Sequence, residues 1–559
     1  MTDPLPPLSL SKYCLGFSLL SLFIFVVLGI RLQDQVVCGE ESRWARGAIE
    51  MIATGDWTVP KQQGKVFPER PPMGSWAMGL VGLFRGEVDL LAIRLPSLLA
   101  TMFTGWLIFF YASHFLPMAT ALFSALAYMT FGQVLQLGPL GESEALFTLF
   151  VSSSILFWHL GIEKKWWPTV TWSIGYTFVT LGALTKGLQA PVYFIVITLT
   201  YLTLSNRLRQ FFSSGHILGI TIFLSLLGMW QIPFYLATNL SATHAIWFGL
   251  AGDRVTTHNL FFHMVTYPFE VFGALLPWSP LLLVLLSPHI YNRQATYFRP
   301  MLFLILAVAI TFPSLWLVAG ARGRYFMPLY PLLATLVGCC VQYSLDHVLY
   351  SSPSFLQKSW ARFIAIVGFL PGITLTLAVF RYLPATPWEI LLLAPLCLFV
   401  TFLSLRSFVT YQCNYSQMIA LFLLPLTIGL TFETFYLNNR QNKTNHIHQE
   451  LVAVKKLVSP EKPLISLGPV FHRFVYLYED PIIEKEWPLT AEDKPPSGTI
   501  FCYDKKHADT DEVRKDGRGR DWTKVPGTLP FAWEKVMVVV ADHRKQKEPS
   551  RSVVIGRVK

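Results

Sequence analysis

Charge is what this sequence of 559 residues has least of. Asp, Glu, Lys and Arg make up 14% of the chain, against roughly 25% in soluble domains, while 53% is hydrophobic. That shortage excludes an ordinary soluble enzyme and places the chain in the membrane class. Cysteine is scarce as well. Cys14, Cys38, Cys339, Cys340, Cys397, Cys413 and Cys502 form no CxxC pair, so neither a zinc ribbon nor a disulfide framework is indicated, and most sit in apolar runs where Cys acts as a small hydrophobe. The net charge is +11, yet no basic stripe interleaved with aromatics occurs, which argues against nucleic acid as a partner. Membrane lipids with anionic headgroups, or a phosphorylated lipid, account for the excess better. The apolar run Leu15–Ile30 follows only Lys12 and precedes no small-residue cleavage site, so it reads as a retained first helix and not as a signal peptide.

The charges that are present are unevenly placed. The segment Arg440–Lys559 holds 22 of the 45 Lys and Arg and 17 of the 34 Asp and Glu. The chain therefore reads as two parts: a helical membrane domain over 1–438, with a long outer loop at about 33–93, and a soluble α/β domain over 439–559. A hydrocarbon core of about 30 Å takes roughly 20 apolar residues as a helix. Runs of that size predict a polytopic α-helical protein with about thirteen spans, near 14–33, 94–112, 116–136, 145–161, 169–186, 188–205, 215–236, 269–288, 300–319, 325–344, 362–380, 388–406 and 417–437. With the N-terminus cytoplasmic, successive inner loops carry Lys164 and Lys165, Arg207 and Arg209, Arg293 and Arg299, Lys358, then Arg406, as the positive-inside rule asks. An odd number of spans puts the tail and the 33–93 loop outside. In the tail, "KPLISLG", "GTIFCYD", "KVMVVVADH" and "SVVIGRV" predict strands and "FHRFVYLYED" a helix.

On that topology the unusual residues collect at one membrane face. They are Glu40, Glu41, Arg43 and Arg46 in "CGEESRWARG", the stretch "GDWTVPKQQGKVFPERPP", Glu142 and Glu144 in "GPLGESEALF", and Lys186 in "LTKG". Further on come His258 and His263 in "GDRVTTHNLFFH", and Arg322, Arg324 and Tyr325 in "ARGRYFMPLYP". Arg and Lys neutralise phosphate, and a carboxylate at the interface can deprotonate an attacking hydroxyl. Each also has a structural reading. Glu40 and Glu41 can be solvated interfacial charges, Arg322 and Arg324 interfacial anchors, Lys186 a snorkelling lysine, His258 and His263 loop histidines, and Tyr325 part of a helix start. Convergence on one face raises the functional reading.

At these residues the sequence resembles a family. "EESRWA" resembles the DExRYA signature of GT-C superfamily polyprenyl-phosphate-sugar glycosyltransferases, the group of the lipid A aminoarabinose transferases and protein O-mannosyltransferases. "GDWTVPKQQGKVFPERPPMGSW", "LTKG" and "RYFMPLYPLLA" resemble further elements of it, and the resemblance covers about 33–345. It implies a GT-C type fold and an inverting glycosyltransferase using a polyprenyl-phosphate-sugar donor, such as undecaprenyl phosphate. The acceptor would be an extracytoplasmic lipid, glycan or protein, as in lipid A modification or protein glycosylation, and the setting a bacterial inner membrane with the site on its periplasmic face. Carried over, Glu40 would be the base, supported by Glu41 and Arg43, with Glu144 the later acidic position. Arg43, Arg70, Lys186, Arg322, Arg324 and Tyr325 would face the donor phosphate, and Glu69, His258 and His263 leave room for a divalent metal ion. Glu40 stands where the family has Asp, and Arg70 where it has Lys. An oligosaccharide or polymer transferase or ligase of the same superfamily is the nearest alternative, and a lipid-linked sugar transporter the next. The absence of a soluble nucleotide-binding domain argues against a nucleotide-sugar donor.

Overall fold

The computed structural model describes residues 8–30, 32–34, 36–252, 260–350, 394–403, 406, 415–432, 438–458, 463–468, 470–480, 482–485, 495–504, 514–515, 521–522, 532–542 and 551–559. It divides into two units. The first comprises Met1–Leu32, Arg94–Ile232 and Thr257–Asn439, the second Gln33–Ile93, Pro233–Thr256 and Arg440–Lys559.

The first unit is helical because in hydrocarbon a helix satisfies every backbone polar group within its own segment. Six described helices are long and apolar enough to cross a membrane: Leu10–Gly29, Leu90–Ala112, Ser143–Glu163, Ser214–Ala237, Phe298–Trp316 and Gly323–Asp346. A seventh is possible only as the pair Leu260–Ala274 and Ser279–Leu286, bent by 113°. The multi-pass helical class holds, but the expected thirteen full spans do not: among the described residues there are six or seven. The physical reason is interruption. The run 116–136 is a helix of 12 residues, Met118–Met129, then a separate short helix, Gly132–Leu137. The run 188–205 yields 16 helical residues, Gln189–Leu204, about 24 Å long at 1.5 Å per residue. Pro168–Lys186 is a full helix but carries five threonines and is less apolar than the six. The span expected at 362–380 lies outside the described residues, and those at 388–406 and 417–437 are described only as Ala394–Leu403 and Tyr415–Thr431. Packing separates the helices by role. Gly323–Asp346 is 94% buried and Ser214–Ala237 only 17%, the latter turning Leu224, Met229 and Ile232 outward as a lipid-facing helix does.

In the second unit, the loop expected at 33–93 contains two amphipathic helices, Glu41–Thr54 and Met73–Arg85. Their shared core is Val37, Trp44, Ala45, Ala48, Met78 and Ile93. Between them a hairpin pairs Lys61–Gln62 with Lys65–Val66, its turn formed by Gln63 and Gly64 at φ 52 and 75, the left-handed pair a two-residue turn requires. The C-terminal part is a mixed sheet of five strands in the order Ile483–Lys485, Ile465–Leu467, Ile500–Asp504, Arg551–Val558, Trp533–Asp542. The first two pairings are parallel and the last two antiparallel. One face buries Leu451, Val454, Phe474 and Ile555, the other Phe501, Tyr503 and Val554. All four strands expected here form, and "FHRFVYLYED" supplies the helix His472–Tyr478.

Candidate active site

The first charged cluster belongs to the second unit and is set by how the helix Glu41–Thr54 begins. Glu41 is fully buried, and its Oε2 accepts the backbone N–H of Cys38 at 2.8 Å. A carboxylate in the first helical turn is favoured by the helix dipole, so Glu41 fixes the turn before its own helix. Glu40, at the N-cap, points elsewhere. Arg43 Nη1 lies 2.9 Å from Glu40 Oε2 and 3.0 Å from Glu69 Oε2, and the Glu40 side chain is 37% exposed against 5% for Glu69. One guanidinium thus bridges a buried and a more open carboxylate, joining "EESRWA" to "ERPP". Phe67 stacks near that guanidinium, its centroid 5.9 Å away, and Gln62 Nε2 donates to Arg43 O at 2.9 Å. Arg70 follows Glu69 and is half-buried.

The rest of the "GDW" to "ERPP" stretch is turn chemistry that holds this cluster. Gly55 ends the helix at φ 72 as a left-handed cap does. Asp56 Oδ1 accepts from the N–H groups of Thr58 and Val59 at 3.0 and 3.1 Å, and Oδ2 from Lys61 Nζ at 2.8 Å. The Glu50 carboxylate accepts the N–H groups of Gln63 and Gly64, and Trp76 Nε1 donates to Trp57 O. Partial burial alone would raise the Asp56 carboxyl, but the Lys61 ammonium and the two N–H groups outweigh it, so its pKa lies below the ordinary 3.8. A depressed carboxylate stabilises the fold above its unfolded pKa and loses that contribution as pH falls through the folded one. Asp56→Ala is expected to cost roughly 0.5–1.5 kcal/mol at pH 7, since water screens the pair with Lys61. The deficit against wild type should close as melting is followed below pH 3.8; a deficit independent of pH would contradict the assignment.

A second cluster belongs to the first unit. Glu142 stands at the N-cap position of the helix Ser143–Glu163 and Glu144 lies in its first turn; Lys186 is the last residue of Pro168–Lys186. Lys186 Nζ is 2.9 Å from Glu144 Oε1, each side chain 5% exposed. Arg324 reaches Glu142 Oε2 at 2.8 Å and Glu144 Oε1 at 3.6 Å. The Tyr325 ring lies 5.1 Å from Lys186 Nζ and 5.7 Å from Arg324 Cζ. Two buried carboxylates meet two cations, so these four side chains balance one another. Arg322 lies outside this set with an exposed side chain.

Sequence reasoning missed Glu270. It sits in the apolar helix Leu260–Ala274, and its Oε1 accepts the Gly323 N–H at 2.7 Å. A Cβ at Gly323 would stand 3.0 Å from Glu270 Cγ, so a larger residue there would push the Glu270 side chain back from the "RGRY" turn. The signal was present, since an ionisable residue inside an apolar helix is a functional candidate by default. Also missed was the buried hydrogen bond of 2.7 Å between Ser42 Oγ and His472 Nδ1, which ties the helix of Arg43 to the C-terminal part of its unit.

Glu69, His258 and His263 are the residues that the sequence offers for a metal. Glu69 pairs with Arg43, His263 Nε2 donates to Leu315 O at 3.2 Å, and among the described residues no group of three or more His, Cys, Asp or Glu could hold an ion. His258 lies outside the described residues.

Residues 69–230 match the family described as dolichyl-phosphate-mannose-protein mannosyltransferase. The fold is that of ArnT from Cupriavidus metallidurans, solved bound to undecaprenyl phosphate, with a TM-score of 0.67, 15% identity, and 98% of each chain covered. The likeness to GT-C polyprenyl-phosphate-sugar glycosyltransferases, first seen in the motifs, is thus shown in sequence and in fold. Among curated relatives is the undecaprenyl phosphate-α-4-amino-4-deoxy-L-arabinose arabinosyl transferase of Pseudomonas savastanoi pv. phaseolicola, 27% identical over 40% of this chain and 42% of that relative. The corresponding transferase 1 of Pseudomonas fluorescens is 25% identical over 62% of this chain and 59% of its own. The chain spans about half the length of these curated relatives.

Proposed function

We propose that the chain is an inverting glycosyltransferase moving a sugar from a polyprenyl-phosphate donor, of the undecaprenyl phosphate class, to an extracytoplasmic acceptor. A glycolipid such as lipid A is one acceptor that the motif resemblance implies. In this reading the protein lies in the bacterial inner membrane, with the chemistry on its outer face, 1–438 as the catalytic domain and 439–559 outside. The observation that carries the reading is the Arg43 bridge between Glu40 and Glu69, which unites the two most specific sequence elements around one accessible carboxylate.

Glu40 takes the proton of the acceptor hydroxyl as that oxygen attacks the anomeric carbon. The bond from that carbon to the phosphate oxygen breaks, and the polyprenyl phosphate leaves with the electron pair. The leaving phosphate gains negative charge as a diester becomes a monoester, and cations stabilise it. Arg43 and Glu69 hold Glu40 in place, and Glu41 fixes the turn beneath it. Lys186 and Arg324 meet the phosphate by exchanging carboxylate partners for it, while Arg322, already exposed, makes the first contact.

Mixing the purified protein with a radiolabelled polyprenyl-phosphate sugar and lipid A should release polyprenyl phosphate in step with label transfer; release to water alone would oppose transfer. Arg322→Ala is expected to raise the donor KM about tenfold with a smaller change in kcat. An unchanged KM would remove Arg322 from the donor site.

A further inference from the structure

Within the first unit, a pocket of about 310 Å³ opens where the helix Ser143–Glu163 ends and Pro168–Lys186 begins, and Arg207 and Gln210 line it too. Its charged groups are Glu163, Lys165 and Arg207. Glu163 Oε1 accepts from Tyr201 OH at 2.9 Å and from Arg207 Nη1 at 3.1 Å, so that pair is neutral. Lys165 sits at φ 55 with an exposed side chain, and it leaves the lining with one positive charge in excess. Two polar atoms at this wall have no partner. Thr171 is 1% exposed and its Oγ1 makes no hydrogen bond, nor does the buried Gln210 Oε1. Buried polar atoms are rarely left so, and an amide oxygen needs a donor. Trp166 and Trp172 add aromatic surface, while Trp167 and Phe212, 79% and 75% exposed nearby in the chain, mark a membrane interface.

A ligand for this place carries one negative charge, offers hydroxyl donors and lies at the bilayer surface. We propose that the pocket binds the headgroup of an anionic glycerophospholipid of the phosphatidylglycerol type. Its phosphodiester faces Lys165, and its headgroup hydroxyls meet Gln210 Oε1 and Thr171 Oγ1. A phosphatidylethanolamine headgroup is disfavoured because its ammonium would meet the excess positive charge. The site stands on the basic loops read as cytoplasmic, where anionic lipid is drawn to pockets between helices, and it is independent of the transfer chemistry.

The test is native mass spectrometry of the full-length protein in detergent, titrated with phosphatidylglycerol, with phosphatidylethanolamine, and with soluble glycerol 3-phosphate as competitor. Phosphatidylglycerol should bind about tenfold more tightly than phosphatidylethanolamine. Lys165→Ala and Thr171→Val should each reduce that preference several-fold, and glycerol 3-phosphate at equal concentration should not displace the lipid. Lys165 is exposed, so its variant reports on binding even if Thr171→Val fails to fold. Equal binding of the two lipids, an undiminished preference in Lys165→Ala, or displacement by glycerol 3-phosphate would overturn the lipid site.

Discussion

Glu40→Gln is expected to lower kcat for sugar transfer by roughly 10²–10⁴-fold, the range that a positioned general base supplies, with donor KM and melting temperature little changed. The amide keeps the side chain's size and still accepts from Arg43, so the bridge to Glu69 survives while the proton acceptor is lost. The Glu40 side chain is 37% exposed, which limits any structural cost. Glu41→Gln makes the contrast. That carboxylate is fully buried on the Cys38 N–H, so its replacement should appear chiefly as lost stability. If Glu40→Gln keeps wild-type kcat, or Glu41→Gln alone removes turnover in a folded protein, the base assignment fails.

Glu144→Ala carries the largest expected cost in stability. It removes the carboxylate 2.9 Å from a Lys186 ammonium whose side chain is 5% exposed and weakens the hold on Arg324. Breaking a buried pair from one side costs about 3–5 kcal/mol because the remaining charge is stranded. Replacing both partners by neutral residues, Glu144→Gln with Lys186→Met, should recover most of that loss without restoring transfer. The two variants together separate a stabilising pair from a phosphate contact. Denaturant melts of the detergent-solubilised protein measure both, and a cost under about 0.5 kcal/mol for Glu144→Ala, the level of a surface substitution, would show that water already screens the pair.

What the sequence made legible was chemistry with a local signature. The "GDW" to "ERPP" stretch was specific because nearly every residue has a turn or cap to make, from Gly55 through Asp56 to the hairpin at Gln63 and Gly64. The carboxylates of "EESRWA" were visible and the motif resemblance ordered them, whereas the burial of Glu41 on the Cys38 N–H and the more open side chain of Glu40 show only in the structure. Glu270 was hidden in an apolar run whose periodicity drew attention first. The Ser42 to His472 bond spans 430 positions and leaves no local trace. Among the described residues fewer spans form than expected, because a hydropathy window does not register the break at Thr130 and Phe131 or the bend of 113° after Ala274. In the tail, apolar strands were readable. The three-residue strand Ile483–Lys485 is too short to show a pattern, and the helix Asn438–Leu457 opens on a polar run.

The most direct test of the central claim is the anomeric configuration of the product, read by NMR after transfer from a polyprenyl-phosphate sugar of defined configuration. A single displacement with Glu40 as base predicts complete inversion, with one polyprenyl phosphate released per sugar transferred. Retention of configuration, or donor recovered intact on the opposite side of the membrane, would contradict it.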